Sequence, residues 1–285
     1  MTFNSLPDFY LLGFQRCGTT TVHHCLKKIN SISLPNNKET HFFSSDEKYS
    51  RGMQWYKEQF PLNTNSKIKG EIDPSYILKK SYLNRINKFS NNETRFIFIF
   101  RKPLERSYSH YLLSLYRGYE KESFLNSILE EERRLSNDND NFSLLNHSYI
   151  SRSKYSYYLD NFQSIFPDAK KLFLKFDNIK DKKNQYDLIN QVITFLDIDI
   201  DISKINFSVQ SNASKTYKSK ILRDILYSEN ILKKTVNNII GEDLSYKVKL
   251  FFDKMNQKKN TNINNSLDKI NLPDKYYRWN NDETQ

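Results

Sequence analysis

Residues 13–20, Gly-Phe-Gln-Arg-Cys-Gly-Thr-Thr, have the types and spacing to hold a phosphate. Gly13 and Gly18 stand where a loop of the form G-x-x-x-x-G-K-[ST] keeps its two glycines. Thr19 takes the place of the lysine that normally follows. An apolar strand candidate at 9–12 precedes the loop, and a helical pattern at about 19–29 follows it. A strand–turn–helix of this kind presents backbone N–H groups to an anion, here across Arg16, Cys17, Gly18, Thr19 and Thr20. The threonines add hydroxyls, and Arg16 can reach a phosphate from within the loop. An ordinary strand-to-helix turn with one basic residue is the plain alternative.

Nucleotide kinases and other P-loop NTPases use that lysine together with a metal-bound carboxylate. The clearest strand, Arg-Phe-Ile-Phe-Ile-Phe at 95–100, runs into Arg101 and not an aspartate. Cations and hydroxyls without a metal carboxylate suit transfer of a group less charged than phosphoryl. Sulfuryl is such a group.

The stretch GFQRCGTTTV resembles the 5′-phosphosulfate loop of sulfotransferases that use 3′-phosphoadenosine 5′-phosphosulfate (PAPS). FIFIFRKPLERSYSHYLL at 96–113 is similar to that family's 3′-phosphate motif. KETHFF at 38–43 and GEIDPSY at 70–76 resemble segments of its glycan-modifying, heparan sulfate-type branch. The resemblance implies that Arg101 and Ser109 bind the 3′-phosphate. It makes Glu39 the proton acceptor, assisted by His41, and gives Arg16 charge to stabilise on the leaving phosphate. It also implies a late basic lid carrying Lys215, Tyr217 and Lys218, adenosine 3′,5′-bisphosphate as product, no metal, and a carbohydrate or small-molecule acceptor. Tyr111, Tyr116 and Tyr119 could stack on sugars or simply pack. Four positions depart from the family's pattern: Arg16 for a lysine, Ile72 for a lysine, Asp73 for Ser/Thr, and Lys102 for Asn/Asp.

Elements must hold these residues in place. Short strand candidates at 32–34, 68–73 and 171–176 alternate with helical patterns at 104–116, 149–166 and 186–196. This predicts an α/β fold, a P-loop-like parallel sheet flanked by helices. One domain is expected across 1–285, irregular from about 258. Forty-four Lys+Arg against 33 Asp+Glu give a net charge of +11, which favours anionic partners. No reader motif supports nucleic-acid binding. Two cysteines fit neither a disulfide framework nor a zinc site. With no signal-peptide pattern and no membrane-spanning run, a cytoplasmic location is expected.

Overall fold

Residues Phe9–Gly13 are buried at every position, as a strand with neighbours on both faces must be. In the computed structural model of the protein they form the middle of a five-stranded sheet. The structure describes residues 6–61, 66–137, 141–179, 182–207, 215–227, 241–259, 267 and 270–282.

In chain order the elements are β1 (Phe9–Gly13), α1 (Thr19–Leu26), β2 (Ile32–Ser33), α2 (Asp46–Ser50), α3 (Gly52–Glu58), β3 (Ile68–Ile72), α4 (Lys80–Asn87), β4 (Arg95–Phe100) and α5 (Pro103–Arg117). Next come α6 (Phe124–Leu129), α7 (Glu131–Ser136), α8 (Phe142–Asn146), α9 (Tyr155–Ile165), β5 (Lys170–Lys175) and α10 (Lys182–Phe195). The last are β6 (Lys215–Tyr217), α11 (Lys220–Tyr227), α12 (Glu242–Asn256), β7 (Gln257–Lys259) and α13 (Asp274–Asp282). The chain, expected as one domain, forms two compact units. The first comprises Met1–Arg106, Arg152–Asn212 and Asn281–Gln285; the second comprises Ser107–Ser151 and Ala213–Asn280.

The first unit holds the sheet, in the order β2-β3-β1-β4-β5 with every neighbour parallel. The chain leaves β1 for β2, returns to β3, then crosses to β4 and β5 on the other side. Loops at the carboxyl ends of the strands flanking such a reversal are where open α/β sheets bind ligands. The core beside β4 is aromatic: Phe96 and Phe98 lie 4.9 and 5.1 Å from the Phe162 ring of α9. The expected fold class is therefore the observed one.

The second unit gathers around the buried carboxylate of Glu120. It takes Arg134, the Tyr149 hydroxyl, and the N–H groups of Lys121 and Glu122. Burial works against that charge, yet these donors bring its pKa down to about 2.

Three expectations need correction, and one open alternative is decided. The helix predicted from 149 starts at Tyr155, because Glu131 captures the N–H groups of Ile150 and Ser151 at 2.7 Å each and a short 3₁₀ turn follows at Ser151–Ser153. Residues 215–217, read as loop, pair antiparallel with 257–259. The stretch expected to be irregular contains α13, near whose start Leu272 and Tyr276 are buried. Tyr111 and Tyr116 are core residues, their hydroxyls donating to Glu122 O at 3.0 Å and Asp253 Oδ1 at 2.7 Å. Tyr119 packs on Phe142 and Tyr227.

Phe9 and Gly70 are register partners in β1 and β3. A Cβ on Gly70 would lie 2.0 Å from Phe9 Cζ, and the fully buried Phe9 ring has nowhere to turn. Gly70→Ala should therefore destabilise the protein by about 1–3 kcal/mol or more through overpacking, read as a lowered thermal midpoint, whereas Gly52→Ala, at φ 82° with nothing within 4 Å of the added Cβ, would test backbone strain alone.

Candidate functional site

The loop after β1 is held on both flanks. Phe14 N–H donates to Ile99 O of β4 at 2.9 Å, and its ring packs 4.5 Å from that of Tyr155. Cys17 N–H donates to Phe14 O at 3.1 Å and closes the turn. Arg16 and Gly18 both have left-handed backbones, with φ of 70° and 86°. Gly18 tolerates this without the steric cost that a Cβ brings. Helix α1 begins at Thr19, and Thr21 and Val22 donate back to Gly18 O. The amides left for an anion are those at the helix start, at Gly18, Thr19 and Thr20. Cys17 differs from its expected role: its N–H is spent within the turn, and burial raises its thiol pKa, so it offers neither donor nor nucleophile.

Arg101 follows β4 directly. Its Nη1 donates to Arg16 O at 3.5 Å, its Nε meets Glu105 at 3.2 Å, and its guanidinium lies 4.6 Å from the Phe176 ring. Its carbonyl accepts from the Tyr155 hydroxyl at 2.7 Å. Arg16 and Arg101 thus belong to one cluster at the carboxyl ends of β1 and β4. Ser109, buried on α5, belongs to the second unit. The expected lid residues do too: Lys218 Nζ donates to Met255 O at 2.9 Å, and Arg223 lies 4.4 Å from the Tyr217 ring. Residues 212–214 of that stretch lie outside the described residues.

The segment carrying Glu39 and His41 is fixed by β3. Alternate strand residues share a face, and here Glu71 and Asp73, both fully buried, act on successive residues of that segment. Glu71 Oε1 accepts from Thr40 N–H at 3.3 Å, from the Thr40 hydroxyl, and from Tyr76 OH at 2.9 Å. Its Oε2 accepts from Tyr56 OH. Asp73 Oδ2 accepts from the His41 N–H at 3.0 Å and pairs with His41 Nδ1 at 2.9 Å. His41 adopts φ 56°, a strained conformation which this double grip maintains. Asp73 N–H donates in turn to Leu11 O at 3.2 Å, which ties the segment to the strand that opens into the loop.

These contacts decide protonation. Burial would lower the pKa of His41, but the charge and hydrogen bond of Asp73, with Glu39, carry it up to about 9. His41 is therefore an imidazolium at neutral pH and has no lone pair for a proton. Glu39 lies 3.7 Å from His41 Nε2 and also pairs with Lys38. Burial and the nearby Asp73 raise the buried Glu71 to about 7 despite its three hydroxyl donors. Glu39, His41 and Asp73 bring one ligand atom each within 4.8 Å of one another, close enough for a cation. The proton on His41 Nδ1 opposes that use below about pH 9.

The sequence reading missed the residues behind the loop. Arg152, Ser153 and Tyr155 come from the break ahead of α9. Arg152 bonds the Gln15 side chain, Ser153 bonds Arg106, and Tyr155 reaches Cys17 Sγ at 3.8 Å. Asp73, by contrast, was noted as a departure from the family's pattern; its partner is His41.

Because the His41 pKa rises on folding, its stabilisation is complete below about pH 6.5 and disappears as pH climbs through 9. A ¹H–¹⁵N titration should place the imidazole midpoint well above 6.5, and Asp73→Asn should bring it back down. A midpoint near 6.5 in the unaltered protein would restore His41 as a possible base.

The sulfotransferase domain family model matches residues 6–264. Heparan sulfate glucosamine 3-O-sulfotransferase 5 of Mus musculus is 29% identical over 106 residues, 37% of this chain and 30% of that protein. The membrane-associated sulfotransferase kil1 of Dictyostelium discoideum is 34% identical over 113 residues, 39% of this chain and 23% of that protein. The chain thus matches less than a third of the length of either relative. A solved sulfotransferase of Alicyclobacillus acidocaldarius shares the fold, with a TM-score of 0.61 at 17% identity over 88% of this chain and 95% of that one. With the loop, the strand-end arginine and the match across residues 6–264, the chain belongs to the sulfotransferase domain family.

Proposed function

We propose that this protein transfers a sulfuryl group from PAPS to a hydroxyl of a carbohydrate. The observation that carries the reading is the chain of contacts from Glu39–His41 through Asp73 to β1, which holds a proton acceptor beside a loop built for an anion. The loop fits the 5′ end of the nucleotide: its approach has helix-start amides, Thr19, Thr20 and Arg16, and no acidic residue between Gly13 and Thr20. Arg101 fits a second phosphate at the end of β4. Ser109 is named with it on the motif alone, as are Lys215, Tyr217 and Lys218.

When bound, PAPS supplies the sulfur that bonds to the acceptor oxygen as the bridging S–O bond to the 5′-phosphate breaks and its electron pair leaves with the bisphosphate. Glu39 accepts the acceptor's proton. Arg16 and the loop amides offset the charge left on the phosphate. His41, positively charged and pinned by Asp73, orients the Glu39 carboxylate. The glycan-modifying relatives, named as heparan sulfate glucosamine 3-O-sulfotransferases, support a sugar hydroxyl as acceptor. Cys17 and Cys25, both free and buried, support a reducing, cytoplasmic setting as part of the proposal. Among the described residues no helix is long and apolar enough to cross a membrane.

Glu39→Gln keeps the shape but cannot take a proton. Turnover against a glycan library, followed as sulfate uptake, should fall by about 10²–10⁴ with bisphosphate affinity nearly unchanged. EDTA should leave the unaltered enzyme active. Near-full turnover in the variant would remove Glu39 from its role.

Arg101→Ala should weaken adenosine 3′,5′-bisphosphate binding roughly ten- to a hundred-fold, the value of a charge-assisted hydrogen bond. Calorimetric titration reads this directly, and unchanged affinity would free Arg101 from the phosphate.

A further inference from the structure

Two arginines lie in the interior against the phosphate loop. Arg106 is 0% exposed and Arg152 is 1% exposed. Both reach Gln15: Arg106 Nη1 donates to its backbone oxygen at 3.5 Å, and Arg152 Nη1 donates to its side-chain Oε1. Arg106 Nε also donates to the Ser153 hydroxyl. Burying two like charges together is costly. Burial, then the field of Arg106, lowers the Arg152 pKa to about 10, so the group still carries its charge at neutral pH. The carboxylates of Glu39 and Asp73 act on Arg152 in the opposite sense and favour its charge.

Peptide geometry gives this arrangement a direction. In a trans peptide the C=O of one residue and the N–H of the next point to opposite sides. An arginine that holds Gln15 O therefore fixes the plane of the peptide that joins Gln15 to Arg16. At the front of the loop Thr19 stands where a lysine would bring positive charge.

We propose that Arg106 and Arg152 form a buried cationic seat behind residues 13–18, which aims the loop amides and supplies from behind the charge that Thr19 does not supply from the front. The ligand class is a nucleotide phosphate or phosphosulfate, so the inference rests on the functional reading above and extends it. Arg106 and Arg152 are positioning residues: they act on the anion through the loop.

The test separates charge from scaffold. Adenosine 3′,5′-bisphosphate is titrated into the unaltered protein, Arg152→Lys, Arg152→Met and Gln15→Glu, with thermal midpoints measured in parallel. Arg152→Met should bind about ten- to a hundred-fold more weakly. Arg152→Lys should keep most of the affinity while its midpoint falls as far as that of Arg152→Met, because the charge is kept and the two-pronged fork is lost. Gln15→Glu neutralises Arg152 in place, so its midpoint should hold or rise while affinity drops at least ten-fold. This variant also decides the matter if the Arg152 variants fail to fold. Affinity that follows the midpoint in every variant, or that is unchanged in Gln15→Glu, would reduce the pair to scaffold and overturn the seat. If the unaltered protein does not bind the bisphosphate, the nucleotide reading fails, and the same four proteins are titrated with inorganic pyrophosphate. The same ranking there would sustain the seat, and no binding of either anion would end it.

Discussion

Two buried carboxylates, Glu71 near the end of β3 and Asp73 just beyond it, are the constraint on which the site depends. Placing Glu71 and Asp73 fully inside the protein carries a large desolvation cost unless each is met by donors. Each is met. Glu71 gathers Thr40, Tyr56 and Tyr76, and Asp73 gathers His41 and Ser75. Two of these donors, Thr40 and His41, belong to the segment bearing Glu39. Satisfying the interior and positioning a surface carboxylate are thus one event. Lys48 adds to the grip by donating to Thr40 O at 2.9 Å.

The opposite charge sits on the other side of the site. Arg101, Arg106 and Arg152 all touch the backbone or side chain of residues 15–16. The loop needs bracing, because two of its residues adopt left-handed backbones and one of those, Arg16, carries a side chain. Tyr155 completes the brace by joining the loop thiol to the Arg101 carbonyl. These contacts fix the loop's backbone before any ligand is present.

The strands and the loop were legible in the sequence because their signals are local. Unbroken apolar runs at β1 and β4 can hardly be anything but buried strands, and two glycines five residues apart mark a tight turn between strand and helix. Glu39 and His41 were legible through a short motif. The residues that hold them were not. A buried Glu71 or Arg106 has the same one-letter identity as a solvated one, and pairing between residues 40 and 71 is a property of the folded sheet. The helix start at 155 was misplaced for the same reason, since Glu131, some twenty residues away, captures the amides at 150 and 151. Tyr111 and Tyr116 could stack on a sugar or pack as far as the sequence goes, and the fold makes them core residues. Asp73 was visible as an oddity, and only the His41 contact explains it.

Register links the two charged halves. β1 and β3 are parallel, with Leu11 opposite Ile72, and Asp73 N–H bonds Leu11 O just beyond that pair. The strand that feeds the loop and the strand that clamps residues 39–41 are therefore locked by adjacent hydrogen bonds. Slipping that pairing by one residue would send Glu71 and Asp73 to the opposite face, exposing one set of donors and burying charge without partners. Gly70, under the Phe9 ring, leaves no room for a Cβ in this alignment. The placement of the segment carrying Glu39 relative to the loop after β1 thus runs through the pairing of β1 and β3. A transfer reaction needs that placement to be constant, because the acceptor oxygen must meet both the base and the sulfur at once.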